Sequence, residues 1–120
     1  MMIEKTVLDY LSAAFSASGL HVPVSMEKPS PLLPTYVVIE KTGSGRENRL
    51  RSATLAIQSV APTLFEAASL SDDVIALMDE LPRVSANVFR VDCDSDYNFT
   101  DTETKEPRYQ AVFNIFYFEE

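Results

Sequence analysis

Apolar residues three and four positions apart predict two amphipathic helices. The first covers Met2–Ala17, and Gly19 is placed to end it. The second covers Thr63–Leu81 and opens with a T-x-x-E capping box, in which side chain and backbone groups of the first turn bond each other. Pro82 is expected to end this helix because proline cannot donate the next helical hydrogen bond.

Strand signals occupy the segments rich in β-branched and aromatic residues. They are Val22–Met26, Thr35–Thr42, Leu50–Val60, Asn87–Asp96 and Arg108–Phe118. Pro23 makes the first of these an edge strand or a strand start. Gly43–Asn48 is expected to be a turn or hairpin loop whose glycines supply positive φ. A bulge near Ser52 is expected to correct the imperfect alternation of the third segment.

The order of these elements is α-β-β-β-α-β-β, which predicts a single α+β domain over residues 1–120. We expect a largely antiparallel sheet of about four strands with two helices packed on one face. In the Asn87–Asp96 strand, Phe89, Val91 and Cys93 are expected to face the core, and the intervening charged residues to face water.

The last strand has two apolar faces. Its odd-numbered residues, Tyr109 to Tyr117, are expected to lie under the helices, which leaves Val112, Phe116 and Phe118 on the opposite face. Monomers rarely expose large apolar patches, so a neighbouring subunit is a natural cover for this face. The alternative is that the sheet curls over and covers these residues itself.

The charge is uneven along the chain. The net charge is −8, and Glu66–Glu106 alone holds 11 acidic and three basic residues. Such a chain is poorly suited to neutralising phosphates, so sequence-independent nucleic-acid binding is not expected. Arg46, Arg49 and Arg51 form a basic cluster elsewhere. A surface of two signs suits head-to-tail self-association, although an ordinary solvated surface has the same composition.

No catalytic, cofactor or metal site is predicted. Cys93 and His21 are the only residues of their types, so neither a disulfide nor a Cys/His metal cluster is expected. Asp92, Asp94, Asp96 and Glu103 have the spacing of a calcium loop, but Tyr97 occupies the position where that loop needs glycine. The charged N-terminus is not expected to be a signal peptide, and no apolar run is long enough to span a membrane.

Three stretches also carry a resemblance to a known family. They are YVVIE at Tyr36–Glu40 leading into Gly43 and Arg46–Arg51; AIQS at Ala56–Ser59 followed by LFEAA at Leu64–Ala68; and SDYNFTD at Ser95–Asp101 leading to RYQAVF at Arg108–Phe113. With these stretches in this order of elements, the chain resembles the tail-terminator, or tail-completion, proteins of long-tailed bacteriophages and prophages.

That resemblance implies a ring, commonly a hexamer, that sits on the last ring of the tail tube, stops its growth and presents a surface to the head connector. The implied partners are further copies of the chain, the major tail tube protein and head connector proteins, with no sequence-specific nucleic acid and no membrane. Assembly would take place in the host bacterial cytoplasm, and the protein would remain in the virion tail. No enzyme activity or cofactor is implied.

The resemblance makes the Gly43–Arg51 hairpin and the Asp96–Arg108 loop the best candidates for ring and tube contacts. Together with the surplus strand face, the candidate contact residues are Arg46, Arg49, Arg51, Tyr97, Phe99, Asp101, Val112, Phe116 and Phe118. Two alternatives stay open: a head-closure or other neck connector protein, and a small enzyme or ligand-binding module. Gene order beside the major tail protein would favour the terminator, and gene order beside the portal would favour the connector.

Overall fold

The fold is built on one mixed sheet. The computed structural model describes residues 2–31 and 33–118. The elements are α1 Ile3–Ala17, β1 Val24–Ser25, β2 Tyr36–Glu47, β3 Leu50–Val60, α2 Leu64–Val84, β4 Val88–Asn98 and β5 Arg108–Phe118. The sheet order is β1-β2-β3-β5-β4; β1 is parallel to β2 and every other neighbouring pair is antiparallel. The α+β class and the element order are confirmed, with β1 as a fifth, two-residue strand at the edge.

The two helices pack on one face of the sheet, which is called the inner face below. Its core contains apolar side chains from both helices and from β2, β3 and β5, among them Leu11, Val74, Leu55 and Phe113, each fully buried. Gly19 follows α1 with φ +76°, in the left-handed region that glycine adopts without strain. The predicted end of the first helix is therefore confirmed.

The second helix begins as predicted and ends later than predicted. The Thr63 side chain accepts a hydrogen bond from the backbone N–H of Glu66 at 3.1 Å, so the N-terminal cap is confirmed. Pro82 lies inside the last turn, and the helix continues to Val84. A proline so close to the end removes one helical bond, while the Ser85 N–H still bonds the Leu81 carbonyl at 2.9 Å.

The hairpin between β2 and β3 is longer than predicted. β2 continues to Glu47, and only Asn48 and Arg49 form the turn. Asn48 supplies the positive φ, 57°, which asparagine tolerates better than most residues. The expectation that Gly43 and Gly45 form the turn and supply positive φ is wrong, because both lie within β2.

Gly45 has a different structural reason. A Cβ at this position would lie 2.8 Å from the Ser52 hydroxyl oxygen on the facing strand. The expected bulge near Ser52 is wrong, because β3 pairs with β5 without interruption and Leu50 simply lies on the outer face. The register of the β2–β3 pair shifts instead between Lys41 and Gly43, which makes Thr42 of β2 the extra residue.

The predicted faces of β4 are wrong at its start. Val88 is the buried residue, whereas Phe89 is 45% exposed on the opposite, outer face of the sheet. The register with β5 shifts between Val88 and Arg90, which makes Phe89 a bulged residue. A single bulge reverses the alternation that follows it, and alternation in the sequence does not reveal where the bulge lies.

A second shift, between Cys93 and Ser95, places another bulge at Asp94. Between the two bulges, Arg90–Cys93 pairs regularly with β5. Val91 packs against the core as predicted, but Cys93 is exposed rather than buried. The bulge at Asp94 therefore divides the strand into two regular stretches of four residues, Arg90–Cys93 and Ser95–Asn98.

The last strand has the two faces that its sequence predicts. Ala111, Phe113, Ile115 and Tyr117 are buried on the inner face. On the outer face, Val112 and Phe116 are half-buried and Phe118 is 46% exposed. The outer face therefore carries an apolar set that the helices do not cover.

Within the described residues, only one end of the outer face is covered. Near the start of β5, Tyr36, Val38 and Val60 form a buried cluster against Leu33 of the proline-rich segment. At the opposite end, around the hairpin turn, Leu50 and Phe118 are both nearly half exposed. The alternative that the sheet curls over Val112, Phe116 and Phe118 is wrong at Phe118, which stays exposed. The end near Leu33 is called the covered end below, and the end around the hairpin turn is called the open end.

Candidate assembly surface

The three predicted arginines meet at the tip of the hairpin. Arg46 and Arg51 are direct cross-strand partners, and Arg49 lies in the turn between them. The Arg51 guanidinium lies 5.9 Å from the centre of the Tyr117 ring, close enough for a cation–π contact. The residues from Glu40 to Leu50 are all exposed, so this tip is accessible.

An aromatic cluster occupies the outer face beside that tip. The ring centre of Phe89 lies 4.8 Å from that of Phe118 and 6.4 Å from that of Phe116. Arg90 lies over Phe116 at 5.4 Å and pairs with Asp92 at 2.9 Å. Three large side chains here, Phe89, Phe118 and Leu50, are each 45–46% exposed.

A shallow cleft of about 280 Å³ separates the cluster from the hairpin. It is lined by Arg46, Glu47, Leu50, Arg51, Ser52, Phe89 and Phe116. Its lining combines apolar and charged side chains, as protein–protein contacts do. Sequence reasoning identified the arginines and Phe116 but missed Leu50 and Phe89. Leu50 is marked by the alternation of β3, whereas no sequence signal indicated Phe89, because its side chain is turned by the bulge.

A polar row crosses the middle of the outer face. The side-chain amide of Gln58 donates to the side-chain oxygen of Gln110 at 3.0 Å, and the side-chain amide of Gln110 donates in turn to the Tyr97 hydroxyl. Thr54 donates to Asn114 at 2.9 Å, four residues nearer the open end along each strand. These groups satisfy one another, so the middle of the face is held in a fixed arrangement rather than awaiting a ligand. The predicted contact residue Val112 lies half-buried between these two bonded groups on β5.

The loop between β4 and β5 is fixed by its own hydrogen bonds. The Asp101 carboxylate accepts the N–H groups of Glu103 and Thr104 at 2.7 and 3.2 Å, and these bonds lower the pKa of Asp101 from its usual value. The Arg108 guanidinium lies 4.8 Å from the Phe99 ring centre, and its Nε donates to the Phe99 carbonyl. Asp101 therefore has a structural role in this loop.

Phe99 also makes an edge-to-face contact with Tyr97, with ring centres 5.8 Å apart. Both rings are 40% exposed. The predicted contact residues of the loop and those of the hairpin consequently lie near opposite ends of the sheet, because Tyr97 pairs with Gln110 near the start of β5 and Arg51 pairs with Tyr117 near its end.

One functional feature of the loop was missed from the sequence. Glu106 accepts the Tyr36 hydroxyl at 3.1 Å on both oxygens and lies 3.6 Å from the Lys28 ammonium. Burial, and then the Glu106 carboxylate, raise the pKa of Tyr36 to about 12. This latch ties the loop and the proline-rich segment to the covered end.

The carboxylates and the cysteine of β4 are the remaining candidates for metal or thiol chemistry. In residues 2–31 and 33–118, no group of three or more His, Cys, Asp or Glu side chains is placed to hold a metal ion. The aspartates that fit a calcium spacing lie on β4 rather than in a loop between helices. Partial burial, with help from nearby aspartates, raises the pKa of the Cys93 thiol, which disfavours the nucleophilic thiolate.

Comparison with known proteins adds no identity. No family model matches the chain, and no curated protein matches it. Neither of the described helices is both long and apolar enough to cross a membrane. The function proposed below is therefore inferred from the surface just described and from the resemblance noted in the sequence.

Proposed function

We propose that this protein is a structural assembly subunit that caps the tail tube of a long-tailed bacteriophage or prophage as an oligomeric ring. The observation that carries the proposal is the open end of the outer face. There an exposed aromatic cluster lies beside an accessible, arginine-rich hairpin. Buried aromatic groups flanked by arginine are the residues that dominate protein–protein binding energy.

Charge supports association of copies head to tail. From Glu40 to Arg51 the hairpin carries four basic and two acidic residues, a balance of 4 − 2 = +2. From Val88 to Asn98, β4 carries one basic and three acidic residues, a balance of 1 − 3 = −2. The hairpin and β4 lie at opposite sides of the sheet, so one copy can present its positive side to the negative side of the next.

The function is tested by charge reversal in the hairpin. The triple substitution Arg46→Glu, Arg49→Glu and Arg51→Glu is expected to reduce self-association measured by light scattering. The reduction should be larger at low salt, where charges are less screened. Arg83→Glu is the matched control, because Arg83 is an exposed arginine on α2 that pairs only locally, with Glu80. Equal association of both variants and the wild type would contradict the proposal.

A genetic test separates the terminator from the neck connector. Deleting a terminator should give tails of abnormal length, whereas deleting a connector should give tails of normal length that fail to join heads. Electron micrographs of the lysate distinguish these outcomes. Normal particles from the deletion strain would refute both assembly roles.

A further inference from the structure

Both long edges of the sheet are open within the described residues. At one edge, β1 pairs only with Val37 and Val38 of β2, so no strand covers Ile39–Gly45. At the other edge, β4 pairs with β5 alone. Open edges attract further strands, and most proteins block them with proline, bulges or charge. The β2 edge from Ile39 to Gly45 contains no proline, and its one bulge is at Thr42.

We propose that copies of this protein join by sheet extension, the edge of β2 in one copy pairing antiparallel with the edge of β4 in the next. The inference rests on the proposed function in taking a second copy as the partner. The sheet-extension proposal further specifies which strands of the two copies pair and in which register. The name seam is used below for this junction.

Backbone hydrogen bonds identify the groups that face outward on β2. The Val37 N–H donates to the Pro23 carbonyl of the β1 side at 2.9 Å, so Val37 and alternate residues as far as Lys41 face away from β3. At the other end, Glu47 and Leu50 flank a two-residue turn and bond each other, so alternation makes Ser44 face outward. Lys41 and Ser44 therefore offer backbone donors and acceptors to a new strand.

The same reasoning applies to β4. The Phe99 N–H donates to the Arg108 carbonyl at 2.7 Å, and the Phe118 N–H donates to the Asn87 carbonyl at 2.9 Å. Phe99 with Arg108 and Asn87 with Phe118 are therefore hydrogen-bonded pairs, one at each end of the β4–β5 ladder. Counting inward through the two bulges makes Val91 and Cys93 face away from β5. These two residues lie within the regular stretch Arg90–Cys93.

The outward residues of the two edges lie at matching levels. Lys41 is connected through Leu55 and Phe113 to Cys93 by successive pairs across the sheet. By the same route, through Ala53 and Ile115, Ser44 is level with Val91. If neighbouring copies are related by a rotation without a shift along the strands, residues at the same height on the two edges meet at the seam. Lys41 then meets Cys93 of the next copy, and Ser44 meets Val91.

Strand direction is also compatible with a ring. β2, β3, β5 and β4 alternate in direction, so β2 and β4 run opposite ways. A rotation about an axis parallel to the strands leaves those directions unchanged. The seam is consequently antiparallel, and repeating the same rotation closes a head-to-tail ring.

Side-chain faces and charges select a second copy over an unrelated extended peptide. Lys41 lies on the inner face, where its ammonium is 3.8 Å from the Glu4 carboxylate of α1. Cys93 is on the same face, because it pairs with the buried Phe113 of β5, and the charge of Asp79 on α2 contributes to its raised pKa. The seam thus continues the inner face of one copy into that of the next. In this register Lys41 lies opposite Cys93, between Asp92 and Asp94 of the next copy, so one positive charge meets the acidic part of β4.

The native cysteine allows a direct test. In Lys41→Cys, the new thiol would lie opposite Cys93 of the next copy, at the Cα separation of about 5.5 Å that bonded antiparallel pairs and disulfides share. A mild added oxidant takes two electrons and two protons from each thiol pair and leaves one S–S bond. Because the pKa of Cys93 is raised, the reaction is run at mildly alkaline pH.

The expected result is a ladder of covalent oligomers on a non-reducing gel, ending at the ring size. Two controls are expected to give no ladder: Lys41→Cys combined with Cys93→Ser, and Ala13→Cys, which places the thiol on the exposed side of α1. Oligomers seen by light scattering without a ladder from Lys41→Cys would overturn the seam and leave the proposed function standing. A protein that is monomeric at every concentration would overturn both.

A second pair of variants tests the backbone. Ser44→Pro removes an N–H that faces the open edge while sparing the β2–β3 bonds, and Ser44→Thr keeps that N–H in a residue suited to strands. Self-association is expected to fall in the proline variant and not in the threonine variant, with unchanged circular dichroism in both. Undiminished association of folded Ser44→Pro would refute the seam.

Discussion

Replacing Tyr36 with phenylalanine is expected to destabilise the covered end of the outer face. Tyr36 is 1% exposed, and its hydroxyl bonds both carboxylate oxygens of Glu106 at 3.1 Å. A hydrogen bond to a charged group contributes about 1.5–3 kcal/mol. Glu106 keeps its contact with Lys28, so we expect Tyr36→Phe to lower the free energy of unfolding at neutral pH by roughly 1.5 kcal/mol, the lower end of that range.

The same substitution is expected to remove a pH dependence. The pKa of Tyr36 is about 12 in the folded protein against 10.0 for an ordinary tyrosine. Above pH 10 the unfolded chain loses this proton while the folded protein keeps it, so the free energy of unfolding falls as pH rises. The contribution is fully present below pH 10 and lost by about pH 12. The shift of about two pKa units corresponds to roughly 2.7 kcal/mol.

Urea unfolding followed by circular dichroism at a series of alkaline pH values measures this loss. The wild type should lose more stability than Tyr36→Phe over the alkaline range, by an amount that approaches the full shift. Tyr109→Phe is the matched control, because it removes a half-buried tyrosine from the start of β5. If the wild type and Tyr36→Phe show the same slope, the latch between Tyr36 and Glu106 does not exist in solution.

Further substitutions test three local features by urea unfolding. Thr63→Ala should cost about 1 kcal/mol through loss of the α2 cap, whereas Thr63→Ser should cost little. Gly45→Ala should cost on the order of 1 kcal/mol because of the contact with Ser52, and adding Ser52→Ala should recover most of it; no recovery would count against the close approach. Phe113→Ala, in the core, should cost about 3–5 kcal/mol, and Phe118→Ala about 1 kcal/mol. Light scattering should then show weaker self-association for Phe118→Ala; equal stability losses would contradict the exposed position of Phe118.

Local physics made much of the fold predictable. The β3 and β5 segments match the observed strands residue for residue, because period-two patterns with few interruptions allow one register. The cap at Thr63 was predictable because it depends on residues within one helical turn. The hairpin was misread because glycine and serine usually form turns, whereas here Gly43 and Gly45 lie within β2 and the turn begins at Asn48.

The open end was only half predictable, for a non-local reason. Sequence shows that Phe116 and Phe118 lie on the face away from the helices, but their neighbour Phe89 reaches them only through a bulge in β4. The strand order determines which edges of the sheet stay open, and no local sequence pattern predicts the order β3-β5-β4. Glu106 was missed for the same reason, since its partner Tyr36 lies 70 residues away.

We propose that stability and assembly depend on different ends of one sheet. At the covered end, Tyr36 and Glu106 tie two connecting segments to the strands. At the open end, Phe118 contributes exposed apolar surface and few internal bonds. β3 and β5 pair along 11 residues each and connect the two ends rigidly. A partner can therefore bind the open end without disturbing the covered end, and substitutions at Tyr36 should change unfolding while those at Phe118 should change association.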